Sequence, residues 1–308
     1  MPDEPGESRV IATLLTGRFT AQDPPPVVDV GDDVAVLPSR MAVGADLMVE
    51  GVHWDARLSA EDVGWKLVAV NASDLGATGA RPTWATLSLA LPRPLDHQWV
   101  EAFAVGMHAA LHHWRITLVG GDTTRSPGPR FAGMTMGGPT LHPALRSGAG
   151  AGDTLLVTGT LGDAAHGFTH GGDGLAWLRR PRPPIAFALA LAEARAVTAM
   201  LDLSDGLARD LPQLCAASGC GAEVDPAALP ATPAVAHAAD RLSLQTSFGD
   251  DYQLLFAAAP TSARRVEALA RTHNVRVTPI GSCTPTGPAH LLGCPWPAAS
   301  FAHFEGAA

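Results

Sequence analysis

The chain has 308 residues, of which 46% are hydrophobic and 17% are charged, so it is long enough for two domains that each bury a core. Its formal net charge of −9 argues against a nucleic-acid-binding surface, which needs an excess of basic side chains. The most apolar run, residues 185–201, is interrupted by Glu193 and Arg195, so it predicts a core helix running into a strand instead of a membrane span. We therefore expect a soluble protein that binds neither nucleic acid nor membranes.

The cysteines and the N-terminal segment indicate the compartment. The four cysteines show neither CxxC pairing nor the spacing of a disulfide framework, so we expect free thiols; they are Cys215, Cys220, Cys283 and Cys294. The first residues are acidic and contain no apolar signal region. Both features favour a reducing compartment, and we predict a cytoplasmic protein.

In the first half of the chain, strand-like segments alternate with helical ones. The pattern predicts helices over 8–17, 61–79 and 95–113, and strands over 27–37, 41–49, 84–91, 116–119 and 130–138. The second of these helices is expected to end at Gly79, before Pro82. Gly120 and Gly121 follow a buried strand, so they predict either a tight turn or a loop whose N–H groups approach a phosphate.

A run of small residues from Ser147 to Asp153 marks a domain boundary. It divides the chain into residues 1–147 and residues 148–308. In the second half the pattern predicts strands over 154–158, 198–203, 252–257 and 275–280, a glycine-rich loop over 159–167, and helices over 185–196, 206–218 and 261–272. Strands and helices alternate in both halves, which predicts a fold of mixed α and β class.

Aspartates recur at the ends of strands or helices, each beside Gly, Ser or Thr: Asp32, Asp33, Asp46, Asp74, Asp122, Asp202 and Asp205. Taken singly, each has an ordinary explanation, such as a solvated turn or a helix N-cap. Magnesium prefers carboxylate oxygens and substrate phosphates as ligands. If the fold gathers these acids, their mutual repulsion requires divalent cations among them. A site of that kind would let an acidic protein bind nucleotide phosphates.

Eight segments, taken together and in order, resemble the thiamine-monophosphate kinases, a family of the aminoimidazole-ribonucleotide-synthetase-like superfamily: 31–35, 49–54, 66–75, 120–125, 146–148, 157–163, 202–207 and 249–252. The resemblance spans nearly the whole chain. It implies two domains, an N-terminal α+β domain that dimerises through its sheet and a C-terminal α/β domain. It also implies a homodimer that uses ATP and Mg²⁺ to phosphorylate thiamine monophosphate to thiamine diphosphate by direct transfer.

Positions that match the family's motifs take their expected roles from the resemblance. Six acids would bind Mg²⁺: Asp33, Asp46, Asp74, Asp122, Asp202 and Asp205. ATP would contact Gly121, Asp122, Arg146 and Ser204, and thiamine monophosphate would contact His53, Asp250 and Phe301. The acceptor is a phosphate oxygen that is already ionised at neutral pH, so we expect no protein base or nucleophile.

The sequence also departs from the family pattern. Gly44 and Ala45 stand where the family usually has hydroxyl residues that help to bind metal, and Phe248 and Asp250 stand where it has Gly and Glu. These departures leave two alternatives open. One is a paralogous kinase that acts on another phosphorylated metabolite, and the other is an inactive nucleotide-binding scaffold.

Overall fold

The computed structural model describes residues 13–14, 25–29 and 31–298. Most of the helix predicted over 8–17 lies outside the described residues, and so does Phe301, which we expect to contact the substrate. Within those ranges, none of the helices combines the length and the apolar character that crossing a membrane requires. The described chain forms two β-sheets with helices packed on them.

The first half contains a five-stranded sheet in the spatial order β1-β2-β5-β3-β4. Its strands are β1 (Ala35–Val36), β2 (Met41–Val49), β3 (Trp84–Leu91), β4 (Thr117–Arg125) and β5 (Phe131–Pro139). Strand β5 pairs antiparallel with β2 and β3, whereas β3 and β4 are parallel. A parallel pair needs a long crossover connection, which helix α2 (His97–Trp114) provides.

Helix α1 (Ala60–Ala77) packs on β2 and β5 and positions several site residues. It begins with a capping box, in which the Ser59 hydroxyl accepts from the Asp62 N–H while the Asp62 carboxylate accepts from the Ser59 N–H. After its C-terminus, Gly79 adopts a φ of 71°, as expected for a residue that ends a helix. The helix is buried along nearly its whole length because the sheet and neighbouring helices surround it.

Helices α1 and α2 approach so closely that glycines occupy their contact points. A Cβ atom on Gly64 would overlap the carbonyl oxygen of Phe103, and one on Gly106 would overlap the carbonyl oxygen of Glu61. Side chains at either position would force the two backbones apart. The close crossing therefore fixes where α1 lies on the first sheet.

The second half contains a six-stranded sheet in the order β11-β8-β10-β6-β9-β7. Its strands are β6 (Thr154–Thr158), β7 (Ala199–Asp202), β8 (Gly221–Val224), β9 (Leu254–Ala258), β10 (Val277–Thr284) and β11 (Ala289–Leu291). Hydrogen-bonded neighbours are antiparallel except for β8 and β11. Leu155 and Val157 belong to one apolar cluster and Leu156 to another, so both faces of this sheet are covered.

Seven α-helices follow the first described strand of this half: α3 (Asp163–His170), α4 (Leu175–Arg179), α5 (Ile185–Glu193), α6 (Leu207–Ser218), α7 (Pro233–His237), α8 (Arg241–Thr246) and α9 (Ala263–His273). The predicted helix ending at Ser218 is confirmed, with Gly219 in the left-handed conformation as its cap. The mixed α and β class is confirmed in both halves of the described chain.

Two predictions about loops are wrong, and both bear on the site. The strand predicted over 116–119 continues as β4 to Arg125, so Gly120 and Gly121 lie in an edge strand and not in a turn or loop. The extension arises because β3 supplies hydrogen-bonding partners along this stretch, with Leu87 opposite Gly121. The loop predicted over 159–167 ends early, because α3 begins at Asp163. Strands β8 and β11 are too short to give a periodic pattern and were not predicted.

Replacing Gly106 with Ala should destabilise the protein by at least about 2 kcal/mol, because the added methyl group would push α1 and α2 apart. The matched control is Gly128→Ala, where a Cβ would meet no atom within 4 Å and should change stability by less than about 0.5 kcal/mol. Urea unfolding of both variants measures the difference. Equal stability of the two variants would contradict the close crossing of the helices.

Candidate functional site

Three carboxylates that are far apart in the sequence converge in the fold. Asp33, Asp74 and Asp202 each place one oxygen within 4.8 Å of the others. They come from the segment before β1, the last turn of α1 and the end of β7. The convergence depends on the contact between α1 and β7, where the Ser73 hydroxyl donates a hydrogen bond to the Asp202 carboxylate.

Burial and mutual repulsion make these three acids hard to ionise together. Burial raises the pKa of Asp33 to about 6 although the charge of Arg146 opposes the shift, and burial together with the charge of Asp33 raises the pKa of Asp202 to about 8. The pKa of Asp74 lies well above its usual range because of burial and the charges of Asp46 and Asp202. A bound cation would relieve this repulsion.

Asp46 and Asp205 extend the same group of acids. The backbone N–H of Asp46 on β2 donates to the Asn71 side chain on α1 (3.0 Å). Burial raises the pKa of Asp46 to about 6, and the charge of Asp205 adds to the shift. Asp205 follows β7, and its carboxylate lies 3.4 Å from the Arg209 guanidinium. Five of the six acids expected to bind metal are thus electrostatically linked in one region.

Asp122, the sixth of these acids, lies apart from that group within one chain. It is exposed on β4, the outer strand of the first sheet, next to Gly121. Gly121 shares a cross-strand row with Asp46 through Leu87 and Met134, so β4 is three strand spacings, roughly 14 Å, from β2. A single chain therefore does not bring Gly121 and Asp122 to the three converging carboxylates.

The two remaining residues that we expect to contact ATP, Arg146 and Ser204, lie beside the acids. The Arg146 guanidinium donates to Asp33 from Nε (3.0 Å) and Nη2 (2.6 Å), and its Nη1 donates to Gln213 (2.7 Å). Ser204 lies in the loop after β7, and its carbonyl oxygen accepts from the Asp250 N–H (2.8 Å). Arg146 thus offsets part of the acidic charge. An anionic ligand that bound beside these acids would also lie close to its guanidinium group.

A cavity of about 810 Å³ joins the acids to the residues expected to contact the substrate. Asp46, Asp74, Ser204 and Asp205 line it, as do His53 and Asp250. Two further lining residues, Lys66 and Val70, lie on the same face of α1 as Asp74, each about one helical turn from the next, so the helix follows the cavity for about 12 Å.

Hydrogen bonds and an ion pair hold the two described residues that we expect to contact the substrate, His53 and Asp250. The Val49 N–H donates to Nδ1 of His53 (3.0 Å), which fixes the orientation of the ring. The Asp250 carboxylate binds the Lys66 ammonium (2.7 Å) and accepts from the Tyr252 hydroxyl (3.0 Å). Asp250 has a φ of 61°, so the fold holds it in a backbone conformation that few residues other than glycine adopt.

Sequence reasoning missed Lys66 and Asp210 as site residues. The side chain of Lys66 is only 3% exposed, and its position two turns before Asp74 on one helix was the available signal. Asp210 in α6 accepts from the Asp205 N–H (3.1 Å), and burial raises its pKa well above the usual range. Asp210 belongs to no sequence motif, and its raised pKa depends on burial that only the fold creates.

Family models match both halves of the chain. Residues 31–138 match the N-terminal domain of the AIR synthase related proteins, and residues 150–291 match their C-terminal domain. The thiamine-monophosphate kinase of Salmonella typhimurium is 37% identical over 271 residues, which cover 82% of this chain and 82% of that protein. The enzyme of the same name from Escherichia coli K12 is 35% identical over 274 residues, 83% of each chain.

Solved structures agree with these relatives. The thiamine-monophosphate kinase of Stenotrophomonas maltophilia K279a is 34% identical, with a TM-score of 0.77 over 93% of this chain and 95% of that one. A complex of AaThiL with AMPPCP and TMP is 26% identical, with a TM-score of 0.81 over 97% of this chain and 96% of the other. The sequence matches and the shared fold lead to one conclusion: the chain belongs to the thiamine-monophosphate kinase family.

Proposed function

We propose that this chain transfers the γ-phosphoryl group of ATP directly to the phosphate of thiamine monophosphate. The products are thiamine diphosphate and ADP. The bond from the γ-phosphorus to the bridging oxygen breaks, and a bond to an acceptor phosphate oxygen forms. The observation that carries the proposal is a single cavity with buried acids at one end and His53 and Asp250 in its wall. The complex of AaThiL with AMPPCP, an ATP analogue, and TMP supports the same pair of substrates.

We assign Mg²⁺ to the acids, because their chemistry fits a hard divalent cation. Oδ2 of Asp33 is buried and has no hydrogen-bond partner among the described residues, so it is an oxygen that a metal ion would satisfy. The ligands would come from Asp33, Asp46, Asp74, Asp202 and Asp205. When bound, Mg²⁺ neutralises the phosphates and the charge that develops during transfer.

The protein's own residues bind and orient the two substrates. Arg146 and Ser204 lie beside the acids and are assigned to the ATP phosphates. His53 and Asp250 line the cavity and are assigned to thiamine monophosphate, with Phe301. No side chain has to remove a proton, because the attacking phosphate oxygen is already ionised. Catalysis then depends on alignment and charge neutralisation.

A homodimer formed through the first sheet is part of this proposal. Along β2, Ala42 and Met48 are buried while Leu47 is 56% exposed, so the packed helices cover one face of the sheet and the other is open. Val119 on the outer strand β4 is 59% exposed. We propose that a second chain covers this surface and that its Gly121 and Asp122 complete the ATP site of the first chain. That arrangement accounts for the distance between Asp122 and the other acids within one chain.

The proposed domain division and location follow the same reasoning. We place the boundary between residues 147 and 148, between the segments matched by the two family models. All four cysteines are free thiols and three of them are buried, which supports a reducing compartment such as the cytoplasm.

Asp74→Asn should lower the rate of ADP formation by at least about 100-fold, because the amide keeps the shape but loses a charge that holds the metal. In thermal unfolding, Mg²⁺ should raise the melting temperature of the wild type and leave that of Asp74→Asn unchanged. Asp173→Asn, at an exposed position, is the matched control and should behave like the wild type. A wild-type response from Asp74→Asn in both assays would contradict the assigned metal site.

Mixing two inactive variants tests whether the site is shared between chains. Asp74→Asn and Asp122→Asn should each be inactive alone, but in a mixed dimer one of the two sites carries both native residues. Random exchange of equal amounts should restore about a quarter of wild-type activity. If Asp122 served its own chain, no mixed dimer would contain an intact site and the mixture would stay inactive.

A further inference from the structure

Two phenylalanines form an aromatic wall in the part of the cavity that Asp250 also lines. Phe168 in α3 and Phe248 before β9 have ring centroids 5.0 Å apart, and both line the cavity. The Arg57 guanidinium lies 4.0 Å from the centroid of Phe168. Phe248 also packs against a small apolar cluster that includes Ala165 and Leu244, so its ring is held in place.

The net charge near this aromatic wall differs from the net charge at the end of the cavity that Asp46 and Asp74 line. Lys66 is paired with Asp250, and Arg57 is paired with Asp55. Local charges therefore cancel around the wall, whereas Asp46 and Asp74 belong to a strongly acidic group. Phosphates with their metal ion suit the acidic end, and a flat organic ring suits the aromatic end.

The backbone fixes Phe248 and Asp250 relative to each other. They flank Gly249, which has a φ of 89° and where a Cβ would overlap the carbonyl oxygen of Ser204. This segment is thus pressed against the loop that follows β7, and it cannot shift without moving Ser204. Asp250 is one methylene group shorter than the glutamate that the family resemblance leads us to expect here, and Phe248 is larger than the expected glycine.

We propose that Phe168 and Phe248, with Asp250, form a specificity site for a flat, positively charged heteroaromatic ring on the acceptor. Aromatic faces attract a delocalised cation, as the Arg57 guanidinium over the Phe168 ring illustrates, and Asp250 lines the same part of the cavity. This inference rests on the proposed function and deepens it, because thiamine monophosphate carries a thiazolium ring. Phe248 and Asp250 act as a coupled pair, in which the larger wall compensates for the shorter acid.

The test compares Phe248→Leu, which keeps bulk but removes the π face, with Phe168→Leu and with Trp177→Leu as control. Trp177 is 44% exposed on the neighbouring helix α4. Phe248→Leu and Phe168→Leu should each raise KM for thiamine monophosphate by about tenfold. Both variants should keep kcat and the KM for ATP within twofold of the wild-type values. Trp177→Leu should change neither of these, nor the KM for thiamine monophosphate. Calorimetry with ribose 5-phosphate, a phosphate without an aromatic ring, should show the same affinity for all variants.

A second comparison tests the coupled pair. Phe248→Gly should raise KM for thiamine monophosphate more than Phe248→Leu does. Adding Asp250→Glu to Phe248→Gly should recover at least half of that loss on a logarithmic scale, because the longer acid reaches into the vacated space. Asp250→Glu alone should raise KM, because its extra methylene group meets Phe248.

The outcomes separate the two proposals. Wild-type turnover of thiamine monophosphate with unchanged KM in Phe248→Leu and Phe168→Leu would overturn the aromatic site and leave the proposed function standing. Equal losses for thiamine monophosphate and ribose 5-phosphate would also overturn it, because they would indicate a general disturbance of the cavity. No wild-type turnover of thiamine monophosphate, with ADP released on another acceptor, would overturn the proposed function itself.

Discussion

Repulsion among buried carboxylates is the constraint on which the rest of this structure depends. Asp33, Asp74 and Asp202 meet in a region where water cannot screen them, and Arg146 offsets only part of their charge. Such an arrangement opposes folding, so other contacts must hold the three acids together. The apolar cores of the two sheets and the close crossing of α1 and α2 provide that support. In the proposed mechanism, the acids are then in place for a divalent cation before any substrate binds.

Helix α1 links this constraint to substrate binding. Its Asn71 holds Asp46 on β2, its Ser73 holds Asp202 on β7, and its Lys66 holds Asp250 in the cavity wall. One rigid element therefore sets the distance between the converging acids and Asp250, which the proposed function assigns to the metal and to the acceptor. A phosphoryl transfer that uses no protein nucleophile depends on that distance, because its rate comes from aligning donor and acceptor. Rigid helices hold such sites more accurately than loops do.

The sequence predicted the elements with long periodic patterns and the composition of the site, but it did not predict which residues meet. Helix α1, strand β3 and the end of helix α6 at Ser218 follow from local patterns that need no distant partner. The pair of Asp33 and Arg146 joins positions 113 residues apart, and that of Ser73 and Asp202 joins positions 129 apart. The roles of Asp33, Arg146 and Asp202 were assigned through the family resemblance, Ser73 was assigned none, and only the fold supplies the contacts. Gly120 and Gly121 show the opposite case. Their local sequence predicts a turn or a loop, but hydrogen bonding with β3 places them in a strand.

The central claim is that the converging acids bind divalent cations between the two substrates. Electron paramagnetic resonance of Mn²⁺, titrated into the protein with a non-hydrolysable ATP analogue, measures bound metal directly. The wild type should bind at least one Mn²⁺ per chain, and the combined variant Asp33→Asn, Asp74→Asn, Asp202→Asn should bind none at the same concentrations. Equal binding by a correctly folded triple variant would show that the metal lies elsewhere and would contradict this account.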